Sequence, residues 1–162
     1  MAENNIFQEA ELRFLRALLD HRVDFMLVGL AAATLQGAPV VTQDIDLWIS
    51  DLTDKKFQAA LRSIGAAYVP SFGLNPPAIA LAGSELFDLV THMSGLESYN
   101  SEKKNITFIP CGEITLPVLT LERIVKSKEA ANREKDRLVL PILKDVLKTL
   151  AAAKRVVGRA KK

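Results

Sequence analysis

The residues in this chain best suited to chemistry are two aspartates separated by one residue, Asp44 and Asp46, in the stretch "TQDIDLWI". Alternate side chains of a strand share a face, so Asp44, Asp46 and Trp48 would line one side while Ile45, Leu47 and Ile49 line the other. Carboxylates spaced this way have Cα atoms about 7 Å apart, and at an effective dielectric of about 20 they repel by roughly 2 kcal/mol. Water offsets that repulsion at an open strand end. A divalent cation does so better, because Mg²⁺ takes hard carboxylate oxygens and keeps positions for phosphate oxygens. By itself Asp-x-Asp fits either arrangement, and Trp48 is placed either to stack a base or to pack.

Three further features bear on the choice. "FMLVG" reads as a buried strand ending at Gly29, where a glycine lets backbone approach a ligand and the start of the following helix offers unpaired N–H groups to an anion. Asp88 in "LFDLV" is an acid between apolar residues of a strand, a costly position without a partner, and it is the best third carboxylate. Glu85 and Glu113 compete for that role, but each lies beside a turn signal. Lys128 falls four residues after Ile124 and three after Val125, on the apolar face of a helix, where it either snorkels or meets a phosphate. Arg133, Lys135 and Asp136 follow in a corner between helices.

The elements that must position these groups follow from periodicity. Leu12, Phe14, Leu15, Leu18 and Leu19 predict an amphipathic helix over residues 6–21. "LAAATLQG" predicts a short helix stopped by Gly37, and "DLTDKKFQAALRSIG" a helix capped by Asp51 or Thr53, with Phe57, Leu61 and Ile64 on one stripe. The Pro- and Gly-rich stretch from Tyr68 to Ser84 predicts a loop around a short strand such as "AIALA". "ELFDLVT", "NITFIP" and "EITLPVL" read as strands, the last two joined through Cys111 and Gly112. A helix begins at Thr120 and is interrupted near Asn132. The final helix shows Leu138, Ile142, Val146 and Leu150 four apart, with Pro141 kinking it or sitting in its first turn.

Composition sets the frame. With 162 residues, 49% hydrophobic and 25% charged, the chain suits one globular domain, here residues 1–153 with a basic tail at 154–162. The tail, "KRVVGRAKK", holds five of the 21 basic residues; without it the balance is 16 against 19 acids, or −3. Such a tail is a solvated end or a contact for nucleic acid or an acidic partner. A single cysteine, Cys111, leaves no internal disulfide, and His21 and His92 have no zinc-like spacing with it. No apolar run is long enough to span a bilayer, and the N-terminus is acidic where a signal peptide would be basic. The expectation is a cytoplasmic protein without a membrane partner.

In order along the chain, "FMLVGLAAATLQGAPVVTQDIDLWI", "LFDLV" and "LTLERIVKSKEAANREKD" resemble the nucleotidyltransferase superfamily, especially its small bacterial members, the minimal nucleotidyltransferases and AbiEii-like toxins. The resemblance runs from about Val23 to Leu143. It implies an α/β (α+β) nucleotidyltransferase-like fold, a mixed sheet flanked by helices with a C-terminal helical segment. It also implies Mg²⁺-dependent transfer of a nucleoside monophosphate from an NTP such as ATP to a hydroxyl of RNA, protein or a small molecule. Asp44, Asp46 and Asp88 would be the catalytic carboxylates and would hold two Mg²⁺ ions. Gly29, Leu30, Thr42, Lys128, Arg133 and Lys135 would bind the nucleotide. Relatives encoded beside a HEPN-type toxin imply a possible toxin–antitoxin setting and a HEPN-type partner. Two positions depart from the family pattern: Leu30 replaces a small residue, and Gln43 stands where many relatives carry Arg or Lys. The alternative reading is a non-catalytic module that keeps the fold for binding or antitoxin action.

Overall fold

The computed structural model describes residues 6–75, 77–80 and 87–160. Its elements in chain order are α1 (Glu9–Asp20), β1 (Phe25–Val28), α2 (Gly29–Leu35), β2 (Ile45–Ile49), α3 (Lys55–Ser63), β3 (Ala67–Val69), β4 (Ala78–Ala80), β5 (Phe87–Val90), α4 (Tyr99–Glu102), β6 (Ile106–Cys111), β7 (Ile114–Leu119), α5 (Leu121–Ala131) and α6 (Glu134–Ala160). The strands form one mixed sheet in the order β3-β4-β5-β2-β1-β7-β6. β2 lies antiparallel to β1 and parallel to β5, and β1 lies parallel to β7.

The apolar positions of β2 and β5 pair with each other, Ile45 with Phe87 and Leu47 with Leu89. Paired residues share a face, and Phe87 meets Phe14 of α1 in an edge-on contact with ring centroids 4.6 Å apart. That face therefore packs against α1. Helix α1 packs with α3, α2 with α5, and α5 with α6. As the periodicity predicts, α1 buries Phe14, Leu15 and Leu18, with Leu12 and Leu19 partly covered.

Several expectations are corrected in detail. The cap of α3 is Asp54, whose carboxylate accepts the Lys56 N–H; Asp51 instead folds onto Thr53, accepting both its N–H and its hydroxyl. The hairpin turn between β6 and β7 falls at Gly112 and Glu113, with Cys111 in the strand. Strand β3 and the short helix α4 were not anticipated, being too brief to show a period. Part of the expected "AIALA" strand, together with Ser84 and Glu85, lies outside the described residues.

Asn132, with φ +49, ends α5 in the left-handed conformation and turns the chain into α6. Pro141 lies well inside α6, beyond its first turn. The stripe of Leu138, Ile142, Val146 and Leu150 is not the packed face, since Leu138 is 73% exposed. Asp136, Leu140 and Leu143 are buried instead. Beyond Leu147 every described side chain of α6 through Arg159 is exposed. Among the described residues no helix is long and apolar enough to cross a membrane.

Candidate functional site

The two aspartates reach one site because β2 is a central strand. Its neighbours set the geometry: Asp46 is paired with Asp88 across the parallel β2–β5 ladder and with Val28 across the antiparallel β1–β2 ladder. Adjacent strands are about 4.8 Å apart, so the two carboxylates leave neighbouring positions on the face turned away from α1.

Gly29 follows Val28 directly, at φ +70. A Cβ there would collide with Asp46 Oδ2 and sit 3.2 Å from its Cγ. The glycine is thus required twice, by its backbone and by the carboxylate that occupies the space a side chain would fill.

These residues line a cavity of about 770 Å³. Asp44, Asp46 and Asp88 stand on one side, with Gly29, Leu30 and Thr42 beside them. Lys128, Arg133 and Lys135 face them from α5 and the start of α6. The cavity thus brings Asp44, Asp46 and Asp88 together with Gly29, Leu30, Thr42, Lys128, Arg133 and Lys135. Gln43 is exposed and is not among its lining residues. Glu113 is remote, in the β6–β7 turn, where its exposed carboxylate pairs with Arg16 at 3.0 Å. Trp48 is 3% exposed and packs edge-on against Tyr99, so it serves as a packed wall.

Electrostatics mark the same spot. Burial, then the neighbouring charge of Asp88, pushes the Asp46 carboxyl up to about 6, against the opposing pull of Lys128 and Lys135. Asp88 is also raised, by burial and by Asp44, while Lys135 pulls it down. Lys135 makes no ion pair among the described residues, so its charge is available to the cavity. Among the described residues, no group of three His, Cys, Asp or Glu side chains is gathered tightly enough to hold a metal ion by itself.

Two supports hold the cationic side. Asp136 is fully buried and accepts from Lys128 Nζ at 3.3 Å, from Arg133 Nε at 2.8 Å and from the Arg133 backbone N–H at 3.1 Å. It therefore fixes the Lys128 side chain, which is 12% exposed, and stitches the start of α6 to α5. The Arg133 and Lys128 bonds hold its carboxyl low despite burial.

The second support positions α5 itself. Gln36, at the end of α2, donates to the Leu119 carbonyl and accepts the Leu121 N–H, each at 2.9 Å, satisfying an orphan donor of the first turn of α5. His92, which also lines the cavity, was not among the nominated residues, and Asp136 entered the sequence reading only as a member of the charged corner with Arg133 and Lys135, without its buried role. Asp136 sits in a charge-dense corner that reads as ordinary surface, and His92 lacks any motif around it.

No family model and no curated protein matches the chain by sequence. Comparison of folds does give matches. The Thermotoga maritima nucleotidyltransferase candidate TM1012 aligns over 87% of this chain and 96% of its own, with a TM-score of 0.61 and 18% identity. The antibiotic-resistance factor ANT(2″)-Ia aligns over 92% of this chain and 91% of its own, at 0.58 and 14%. The same factor in complex with adenylyl-2″-tobramycin aligns at 0.57 and 13%. An antigenic nucleotidyltransferase-like protein from Paracoccidioides brasiliensis aligns over 92% of this chain at 0.51 and 17%. The seven-stranded mixed sheet with its flanking helices is a nucleotidyltransferase-like fold.

Proposed function

We propose that this chain is an Mg²⁺-dependent nucleotidyltransferase, moving a nucleoside monophosphate from an NTP to a hydroxyl group. One observation carries the reading: Asp46 and Asp88 are paired in register on adjacent strands, next to a glycine whose missing side chain makes room for Asp46, and lysines face them across one cavity.

The donor set fits the metal. Three hard carboxylates converge on one cavity, where burial and the neighbouring charge of Asp88 push the Asp46 carboxyl up to about 6. Mg²⁺ takes one or two carboxylates and completes its shell with water and phosphate oxygens, so it needs no preformed three-ligand cage. Asp44, Asp46 and Asp88 would hold it, two ions in all; when bound, they would neutralise triphosphate charge and polarise the reacting phosphorus. Lys128, held in place by Asp136, and the unpaired Lys135 would meet the phosphates, with Arg133 at the rim. Gly29, Leu30 and Thr42 would form the opposite wall. The acceptor oxygen bonds to the α-phosphorus, the bond from that phosphorus to the β-bridging oxygen breaks, and pyrophosphate leaves. The acceptor's proton passes to the Asp88 carboxylate. Aimed by the fold at a single phosphorus, these groups act mainly by positioning and charge.

RNA, a protein or a small molecule can supply the hydroxyl; a HEPN-type partner in a toxin–antitoxin pair is the protein case. Asp44→Ala and Asp46→Ala should each lower labelled-nucleotide transfer by about a hundredfold or more, and unchanged transfer in both would defeat the reading. One observation favours the non-catalytic alternative: Leu30, a bulky side chain, lines the cavity where relatives carry a small residue. Calorimetry with ATP, GTP, CTP and UTP plus Mg²⁺ separates the two, since a folded module that binds none of them is a degenerate one.

A further inference from the structure

A second cavity, also of about 770 Å³, opens beside the first. Along β2 and the residue after it, Asp46 lines the first cavity, while Trp48 and Ser50 line the second. On the chain leaving β5, Asp88 lines the first and His92 lines both; among the described residues His92 is the one they share. The second cavity thus adjoins the first at His92.

The two differ in charge. Lys128, Arg133 and Lys135 balance the carboxylates of the first. Among the described residues, the second is lined by Asp51 and Glu97 and by neither lysine nor arginine. Neither acid makes an ion pair among the described residues. The floor is aromatic, formed by Trp48 and Tyr99 with ring centroids 5.7 Å apart, and hydroxyl and amide groups such as Ser50 and Asn100 lie on the rim.

A transfer reaction needs its acceptor oxygen within about 3.5 Å of the phosphorus, so the acceptor must occupy space continuous with the phosphates. Two carboxylates with no ion-pair partner among the described residues repel a polyanion and attract an ammonium group. We infer that the second cavity is the acceptor subsite, and that it takes a small molecule bearing several hydroxyls and at least one amine, its reacting hydroxyl directed past His92 toward Asp88. The inference rests on the nucleotidyl-transfer reading and narrows its acceptor. RNA is disfavoured here, because its phosphates would face Asp51 and Glu97.

Trp48 is the single tryptophan of the chain and forms part of this floor, so its fluorescence reports occupancy without any need for turnover. The full chain is titrated with glucosamine, N-acetylglucosamine and glucose, alone and with ATP–Mg²⁺. Glucosamine should give a saturable change, with the acetylated and neutral sugars at least tenfold weaker. Glu97→Gln should weaken glucosamine several-fold and leave ATP–Mg²⁺ affinity unchanged, and Ser50→Arg should abolish the sugar response. The exposed Glu97 keeps the test open if S50R does not fold. Equal responses to all three sugars, no response to any, or indifference to E97Q would overturn the inference. Binding of ATP–Mg²⁺ without a glucosamine response defeats the subsite alone. A glucosamine response without nucleotide binding defeats the nucleotidyl-transfer reading, and the subsite's role as acceptor site with it.

Discussion

Asp46, set between two strands with another aspartate opposite, keeps its proton to about pH 6 in the folded chain, against 3.8 for an ordinary aspartate. Between those values the native state holds a proton that the unfolded chain has released, so stability falls as pH rises from about 4 to 6 and stays lowered above. A shift of this size corresponds to roughly 3 kcal/mol. Asp46→Asn should therefore raise stability at pH 7 by about 1–3 kcal/mol and flatten that pH-dependent decline, as read by urea unfolding at pH 4.5 and 7. Such a gain on removing a site residue would mean that the carboxylate is retained for chemistry at the expense of the fold. Gly29→Ala should act in the opposite direction. Its methyl must displace the Asp46 carboxylate and adopt a positive φ, for about 1–3 kcal/mol lost, together with Mg²⁺-dependent nucleotide binding measured calorimetrically. The paired aspartates and the third acid were legible in the sequence because strand alternation is geometric and an acid between apolar residues is costly. The reason for Gly29 was not, since only the β1–β2 register brings it against Asp46.

At the scale of elements, the cationic side depends on where α5 is held. Glu102 of α4 is 1% exposed and takes a two-pronged contact from Arg123 of α5, with Nε at 2.8 Å, while Asn105 donates to it at 3.1 Å. Arg123 draws the Glu102 carboxyl down to about 2 from 4.5, so this clamp contributes stability above about pH 4.5 and loses it as pH falls toward 2. Arg123→Ala should cost about 3–5 kcal/mol, because it leaves a buried carboxylate unpaired, and should shift the midpoint of acid unfolding upward. Thermal melts across pH 2–7 would show both. The clamp was invisible in the sequence: α4 is a single turn with no period, and Glu102 and Arg123 are joined only after the β6–β7 hairpin returns the chain. The α6 stripe misleads for a related reason. A stripe of apolar residues fits more than one side of a long helix, and Asp136, Leu140 and Leu143, at spacings of four and three, lie on the side that packs.

Taken as a whole, the molecule sets its candidate site on central strands whose neighbours in the sheet are distant in sequence. The β1–β2 hairpin pairs residues about twenty apart, and β7 joins β1 only near Val118, whereas Asp46 meets Asp88 across the long excursion through α3, β3 and β4. The order of events in folding follows from that separation. Closing the longer loop costs more chain entropy, so the hairpin can form first while β5 docks afterwards. A ligand that recognises only the completed β2–β5 seam has nothing to hold during the climb to the barrier. ATP with Mg²⁺ should consequently retard unfolding in stopped-flow experiments while leaving the refolding rate nearly untouched. An accelerated refolding phase would mean that the seam is already closed at the summit.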